Sequence, residues 1–90
     1  MGMREVTVPI VNPLGLHARP AAEFVKTSGR FASGIVVRKD ALEVNGKSIM
    51  GMMMLAAECG SMLYIRAEGD DADEAIAALV ALVAAGFGEQ

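Results

Sequence analysis

Paired cysteines, tryptophan and an excess of positive charge are all absent from this 90-residue chain. Cys59 is the only cysteine, so no internal disulfide can form, which is typical of proteins in the reducing cytosol. Aromatic residues make up only 4% of the chain, so we expect an aliphatic core with methionine as filler. A net charge of -3 argues against a nucleic-acid-binding protein, which normally carries a basic stripe.

Membrane spans and targeting segments are also missing from the sequence. The longest apolar tract, near the C-terminus, is alanine-rich and far shorter than a membrane-spanning helix requires. The first five residues lead into an alternating segment and not into the apolar run of a signal peptide. Because there is also no internal repeat or linker, we expect one cytoplasmic domain over residues 1–90, without membrane insertion.

The first third of the chain predicts a strand, a turn and a helix. Residues 5–11 alternate between apolar and polar side chains, which indicates a half-buried strand. Pro9 cannot donate a hydrogen bond to a neighbouring strand, so this strand belongs at a sheet edge. A turn at residues 12–15 precedes a helix from His17 to about Ser28.

The middle of the chain predicts a hairpin, a short helix and another strand. Residues 34–39 are rich in β-branched side chains, and residues 42–44 begin a returning strand. Ser48 is expected to be the N-cap of a short helix that runs to Ala56. Residues 62–68 alternate again and indicate a strand.

The last element is the most regular, with apolar residues recurring at helical spacing. Asp71 followed by Glu74 resembles a capping box at its start. Gly86 is expected to end the helix, so that Phe87 can fold back on Leu82. The order β-α-β-β-α-β-α predicts an α+β fold, an open-faced two-layer sandwich of four strands with the helices on one face.

His17 is the only histidine, and it lies at or beside the start of the first predicted helix. Free amides at a helix start bind anions, and the same positive end disfavours a protonated ring. A neutral ring keeps one nitrogen available as a nucleophile. Arg19 could hold a phosphoryl oxygen, so we expect a histidine that accepts a phosphoryl group rather than one that merely caps the helix.

Other chemistries find little support in the sequence. No histidine, cysteine or carboxylate spacing indicates a metal site, and we expect no metal and no cofactor. No Ser/His/Asp order and no Walker-type phosphate loop is present, and Cys59 has no obvious base. What remains is a nucleophilic histidine that receives a group and gives it up.

Two segments resemble one known family. Residues 12–21, Asn-Pro-Leu-Gly-Leu-His-Ala-Arg-Pro-Ala, closely resemble the active-site segment of the HPr family, the histidine-containing phosphocarriers of the bacterial sugar phosphotransferase system. Residues 45–51, Asn-Gly-Lys-Ser-Ile-Met-Gly, resemble its second signature at the right separation. Chain length and element order agree, so the resemblance covers nearly the whole chain.

The resemblance implies a role for His17 and a set of partners. His17 would carry the phosphoryl group on Nδ1, receive it from enzyme I, itself charged from phosphoenolpyruvate, and pass it to enzyme IIA proteins. Arg19 matches the family's active-site arginine. The chain would then be a carrier without turnover of its own, and we expect a monomer. The family fold is an antiparallel four-stranded sheet with three helices on one face and the first strand at an edge.

The resemblance also assigns two features of the short second helix. Ser48 matches a regulatory serine that a dedicated kinase/phosphorylase modifies in many bacteria, and its phosphate would add negative charge beside the partner surface. Ile49, Met50 and Met53 match the family's apolar docking patch. Met50 and residues 52–54 are too many neighbouring methionines for one buried face, so some should point outward.

Three alternatives remain open at this point. A nitrogen-branch relative would use the same chemistry with regulatory partners; the tail at residues 86–89 resembles that branch, whereas the Gly-Lys-Ser signature favours the sugar branch. A regulatory binding module would act through phosphorylated Ser48, but relatives of that kind lack the histidine. A small phosphatase would need a phosphate-cradling loop and a positioned water, and the sequence indicates neither.

Overall fold

The described part of the chain, residues 2–89 of a computed structural model, follows the predicted order of elements. The elements are β1 (Gly2–Pro9), α1 (Ala18–Ser28), β2 (Gly34–Lys39), β3 (Leu42–Asn45), α2 (Ile49–Met54), β4 (Met62–Gly69) and α3 (Ala72–Ala84), followed by a 3₁₀ turn at Gly86–Gly88. Three predicted boundaries were wrong. β1 was predicted to reach Val11 but ends at Pro9, and Ile10 and Val11 lie outside the strand. β1 starts earlier because Gly2 already pairs with Gly69, and α2 ends before Ala56, which has a φ of +48° that no helix allows.

The four strands form one antiparallel sheet in the order β1-β4-β2-β3. The prediction that Pro9 places β1 at an edge is confirmed, since Pro9 pairs with Met62 of β4 on one side only. The helices cover one face, and the other face is open. On that open face, the Arg38 guanidinium lies 4.2 Å from the Tyr64 ring centroid and the Tyr64 hydroxyl donates to Glu5. The open-faced α+β sandwich is therefore confirmed.

The core lies between the sheet and the helices and is almost entirely aliphatic. The alternation predicted for β4 is confirmed, because Leu63, Ile65 and Ala67 are all fully buried. The largest buried side chains from the other elements are those of Phe24, Val37, Met52, Leu79 and Val83. This shared core fixes the ends of α1 and α3 relative to each other, and these two ends carry the candidate site.

Asp71 precedes α3 as predicted, but the predicted capping box was wrong. Its carboxylate makes no capping bond and accepts instead from the Ser33 hydroxyl and from the backbone amides of Ala32 (2.8 Å) and Ser33 (2.9 Å). The loop before β2 thus supplies three donors to one carboxylate. These hydrogen bonds lower the pKa of Asp71 because they stabilise its charged form. The bond from the Ser33 hydroxyl has the largest effect.

The end of α3 is confirmed at the predicted glycine. Gly86 follows the C-cap residue Ala85 and has a φ of +62°, the left-handed conformation that glycine adopts readily. Phe87 is buried, and Leu82 packs against the same core. The chain therefore reverses after α3, and this reversal carries Glu89 back toward the start of α1.

Candidate functional site

The loop before His17 is held by one backbone hydrogen bond within the loop and by another to a second loop. The Gly15 amide donates to the Asn12 carbonyl (3.0 Å), and the Leu16 amide donates to the Ala57 carbonyl (2.8 Å). Gly15 has a φ of +71°, and a Cβ atom there would lie 2.6 Å from the Ala57 carbonyl oxygen. Only glycine fits this turn, which locks the chain entering α1 against the segment that follows α2.

His17 is the N-cap residue of α1, as predicted. Its backbone is extended, with φ −79° and ψ −169°, and its carbonyl accepts from the Ala21 amide at 3.0 Å. The imidazole makes no capping bond and its side chain is 39% exposed. Because Pro20 has no amide hydrogen, Ala18 and Arg19 carry the first-turn amides that can face an anion.

Glu89 contacts the imidazole of His17, which the sequence did not predict. Nε2 of His17 lies 3.0 Å from Oε2 and 3.2 Å from Oε1 of Glu89. An ionised carboxylate only accepts hydrogen bonds, so this contact requires a proton on Nε2. In the neutral ring the lone pair is then on Nδ1, the nitrogen on which the family resemblance places the phosphoryl group.

Asn12 joins the loop and the tail. It is buried, and its Nδ2 donates to the Gly15 carbonyl (2.7 Å) and to Oε1 of Glu89 (3.0 Å). Its Oδ1 is buried and has no hydrogen-bond partner within residues 2–89. The sequence indicated only a turn residue here. The contact between Asn12 and Glu89 joins residues 77 positions apart, and no periodic pattern in the sequence could have revealed it.

Arg19 is exposed and lines an open groove of about 400 Å³. The other residues that line the groove are Pro13, Leu14, Phe87, Gly88 and Glu89. Across the described residues 2–89, Arg19 takes part in no salt bridge. The structure therefore places the Arg19 cation in the same groove as Glu89, the tail residue that contacts His17.

Ser48 is the N-cap residue of α2, as predicted. Its Oγ accepts from the Gly51 amide at 3.0 Å, and the residue is half-buried. The neighbouring Lys47 donates from Nζ to the Phe31 carbonyl at 2.7 Å, which ties the start of α2 to the loop after α1. α1 and α2 also pack against each other, so Ser48 and His17 lie at the starts of two adjacent helices.

The methionines of α2 divide between the core and the surface, as predicted. Met52 is fully buried, whereas Met50 is 75% exposed. Ile49 and Met53 are also exposed, at 44% and 45%. These three exposed residues, Ile49, Met50 and Met53, form what we call the α2 patch. No group of three or more metal-ligating side chains and no helix long and apolar enough to span a membrane occurs in residues 2–89.

Comparisons with known proteins place these features in one family. A family model described as "PTS HPr component phosphorylation site" matches residues 4–85. Phosphocarrier protein HPr of Neisseria meningitidis is 45% identical over 87 residues, which cover 97% of this chain and 98% of that protein. The HPr-like protein Crh of Halalkalibacterium halodurans is 47% identical over 81 residues, covering 90% and 96%.

The solved structures agree with the sequence comparisons. The crystal structure of HPr-C-His from Thermoanaerobacter tengcongensis matches this fold with a TM-score of 0.93 and 54% identity, covering 97% of this chain and 98% of that one. The family resemblance inferred from residues 12–21 and 45–51 is therefore confirmed. The chain belongs to the HPr family of phosphocarrier proteins of the phosphotransferase system.

Proposed function

We propose that this protein accepts a phosphoryl group from phospho-enzyme I on Nδ1 of His17 and passes it to enzyme IIA proteins during sugar uptake. The observation that carries the proposal is the contact between Nε2 of His17 and the Glu89 carboxylate. It leaves Nδ1 as the nucleophilic nitrogen at the start of a helix, where a transferred anion is favoured. In this role the protein has no turnover of its own, because one partner protein supplies the phosphoryl group and another removes it.

The transfer step conserves atoms and electrons. The Nδ1 lone pair forms a bond to phosphorus while the bond from phosphorus to the donor breaks, and the donor keeps that electron pair. The Ala18 and Arg19 amides and the Arg19 guanidinium then stabilise the phosphoryl oxygens. Transfer to the acceptor reverses the step, since the N–P bond breaks and its electron pair returns to Nδ1.

The α2 patch is the proposed docking surface for enzyme I and enzyme IIA proteins. Its support is the exposure of Met50, which is 75% accessible in a helix whose Met52 is fully buried. Flexible methionine side chains suit a surface that must accept several partners. A phosphate placed on Ser48 by a serine kinase/phosphorylase would add charge to the edge of this patch and weaken docking.

The proposed setting is the cytoplasm of a bacterium, supported by a single cysteine that cannot form an internal disulfide. We expect the monomer to suffice, because one copy carries every side chain of the proposed site. A nitrogen-branch carrier would use the same His17 chemistry with regulatory acceptors. A second alternative is a Crh-like regulatory role through Ser48, and the similarity to the HPr-like protein Crh of H. halodurans supports it.

A chase experiment tests the proposal. Incubation with enzyme I and phosphoenolpyruvate should add one acid-labile, base-stable phosphate, and a later addition of enzyme IIA should discharge it. His17→Ala should take up no phosphate, whereas Arg19→Ala should load more slowly. A protein that stays unphosphorylated, or a His17→Ala variant that loads normally, would rule out the phosphocarrier role. Discharge only onto a nitrogen-branch acceptor would favour that alternative.

A further inference from the structure

The tail of the chain and a buried asparagine form a relay to His17 that the phosphocarrier role alone does not require. Asn12 Nδ2 donates to Oε1 of Glu89 at 3.0 Å, and both carboxylate oxygens of Glu89 lie within 3.2 Å of His17 Nε2. Asn12 is 2% exposed and is itself held by the Gly15 carbonyl. A buried donor thus fixes the rotamer of the carboxylate, and the carboxylate fixes the ring.

We propose that Glu89 and Asn12 are positioning residues for phosphoryl transfer, acting through the His17 ring. Glu89 keeps the proton on Nε2, so that the reacting lone pair stays on Nδ1. It also occupies Nε2, which excludes that nitrogen as a second acceptor. Asn12 keeps the Glu89 carboxylate in place. This inference rests on the proposed function of His17, because the relay matters for transfer only if His17 is the acceptor.

The charge balance of the reaction gives the relay a second effect. When Nδ1 donates its lone pair to phosphorus, the ring gains positive charge while the proton remains on Nε2. The Glu89 carboxylate, 3.0 Å from Nε2, faces that charge and stabilises it as it develops. When the N–P bond breaks, the electron pair returns to Nδ1 and the charge disappears. The same carboxylate therefore assists transfer in both directions.

The orientation of the Asn12 amide supports this assignment. If the amide were reversed, Oδ1 would face the carboxylate of Glu89 and the Gly15 carbonyl, and three acceptors would meet without a hydrogen. The orientation with Nδ2 toward both acceptors leaves Oδ1 buried without a partner in the described chain. The two acceptors, the Gly15 carbonyl and the Glu89 carboxylate, therefore fix the amide with Nδ2 toward them.

The tautomer of His17 can be measured in the free protein without any partner. Long-range proton–nitrogen correlation NMR on protein with ¹⁵N-labelled histidine reports which ring nitrogen carries the proton. We expect the wild-type neutral ring to hold its proton on Nε2, with a smaller share on Nδ1 than in free histidine. Glu89→Gln should raise the Nδ1–H share, and Glu89→Asp should restore the wild-type state in part. Glu74→Gln, which removes the same charge from an exposed site on α3, should leave it unchanged.

The loading rate gives the second readout. Because Glu89→Gln replaces a charged hydrogen-bond acceptor with a weaker, neutral one, it should lower the maximal rate of loading by phospho-enzyme I about tenfold. The concentration for half-maximal rate should hardly change, since docking is unaffected. Asn12→Ala should shift the tautomer and the rate in the same direction, and it should have no further effect in the Glu89→Gln background. If Asn12 had only a structural role, Asn12→Ala would lower the loading rate by the same factor in the wild type and in Glu89→Gln.

The relay is refuted if Glu89→Gln leaves both the tautomer and the maximal rate as in the wild type. It is also refuted if the wild-type ring carries its proton mainly on Nδ1, a result that needs no variant to fold. The phosphocarrier role fails separately, if wild-type protein takes no phosphate from enzyme I. The tautomer of the free protein and the loading of the wild type thus distinguish the two failures.

Discussion

Gly15→Ala tests how the His17 loop is held against the rest of the fold. Gly15 has a φ of +71°, and the added Cβ would lie 2.6 Å from the Ala57 carbonyl oxygen and 3.0 Å from the Glu58 Cα. All the opposing atoms belong to the backbone, so no side chain can rotate away. The two loops must therefore separate, and the Leu16–Ala57 hydrogen bond beside them should break.

The expected destabilisation comes from two sources. A left-handed conformation costs an alanine about 1 kcal/mol or more. The loss of the Leu16–Ala57 hydrogen bond adds about 1 kcal/mol. The sum of about 2–3 kcal/mol corresponds to a lowering of the melting temperature by about 10–20 °C for a domain of this size. Loading of His17 should fall by more than the unfolded fraction explains, because a shift of about 1 Å in a reacting group costs about a hundredfold in rate.

Gly60→Ala is the matched control for this experiment. Gly60 has a φ of +93°, and an added Cβ meets no atom within 4 Å. Its substitution should show the conformational cost alone. Urea denaturation gives the free energy of unfolding of each variant. We expect Gly15→Ala to be less stable than Gly60→Ala by about 1 kcal/mol or more, because only Gly15→Ala causes the clash and breaks the hydrogen bond. Equal destabilisation of the two variants would refute the close contact between the loops.

The remaining predictions concern α2 and Asp71. Met52→Ala should lower the free energy of unfolding by about 2–4 kcal/mol because Met52 is fully buried, whereas Met50→Glu should leave it nearly unchanged and weaken binding to enzyme I in titration calorimetry. The reverse pattern would show that Met50 belongs to the core. Ser48→Asp should slow loading while the melting temperature stays close to that of the wild type, and unchanged kinetics would remove the argument for regulation. Since the pKa of Asp71 is lowered in the folded state, its contribution to stability is present above its unfolded pKa and disappears as the pH falls below about 4. Asp71→Asn should therefore destabilise the protein at neutral pH, with a difference from wild type that shrinks in acid; a difference independent of pH would contradict the role of the Ser33 hydrogen bonds.

Local patterns in the sequence predicted the elements of the fold because each pattern has a direct physical cause. Alternation produced β4 with one buried face, and Pro9 placed β1 at an edge because it lacks a donor. Ser48 was found as an N-cap because its hydroxyl can accept from an amide three residues on. In each case, the signal and its structural consequence lie within a few residues of one another.

The features that the sequence did not predict depend on contacts between distant segments. Asp71 has the right type and spacing for a capping box, but a loop 38 residues earlier offers its carboxylate better donors. Glu89 lies 72 residues from His17, and its role follows from the chain reversal at Gly86. In the sequence, Asn12 looks like an ordinary turn residue, and its contact with Glu89 exists only in the folded chain. Tertiary contacts of this kind override local preference and leave no periodic trace.

The most direct test of the central claim is the identity of the phosphorylated atom. Phosphorus–nitrogen correlation NMR on protein loaded by enzyme I and phosphoenolpyruvate, with ¹⁵N-labelled histidine, would reveal it. The account predicts a single phosphorus signal coupled to Nδ1 of His17, with Nε2 still protonated beside Glu89. A phosphorus signal coupled to Nε2, or one that persists in His17→Ala, would contradict it.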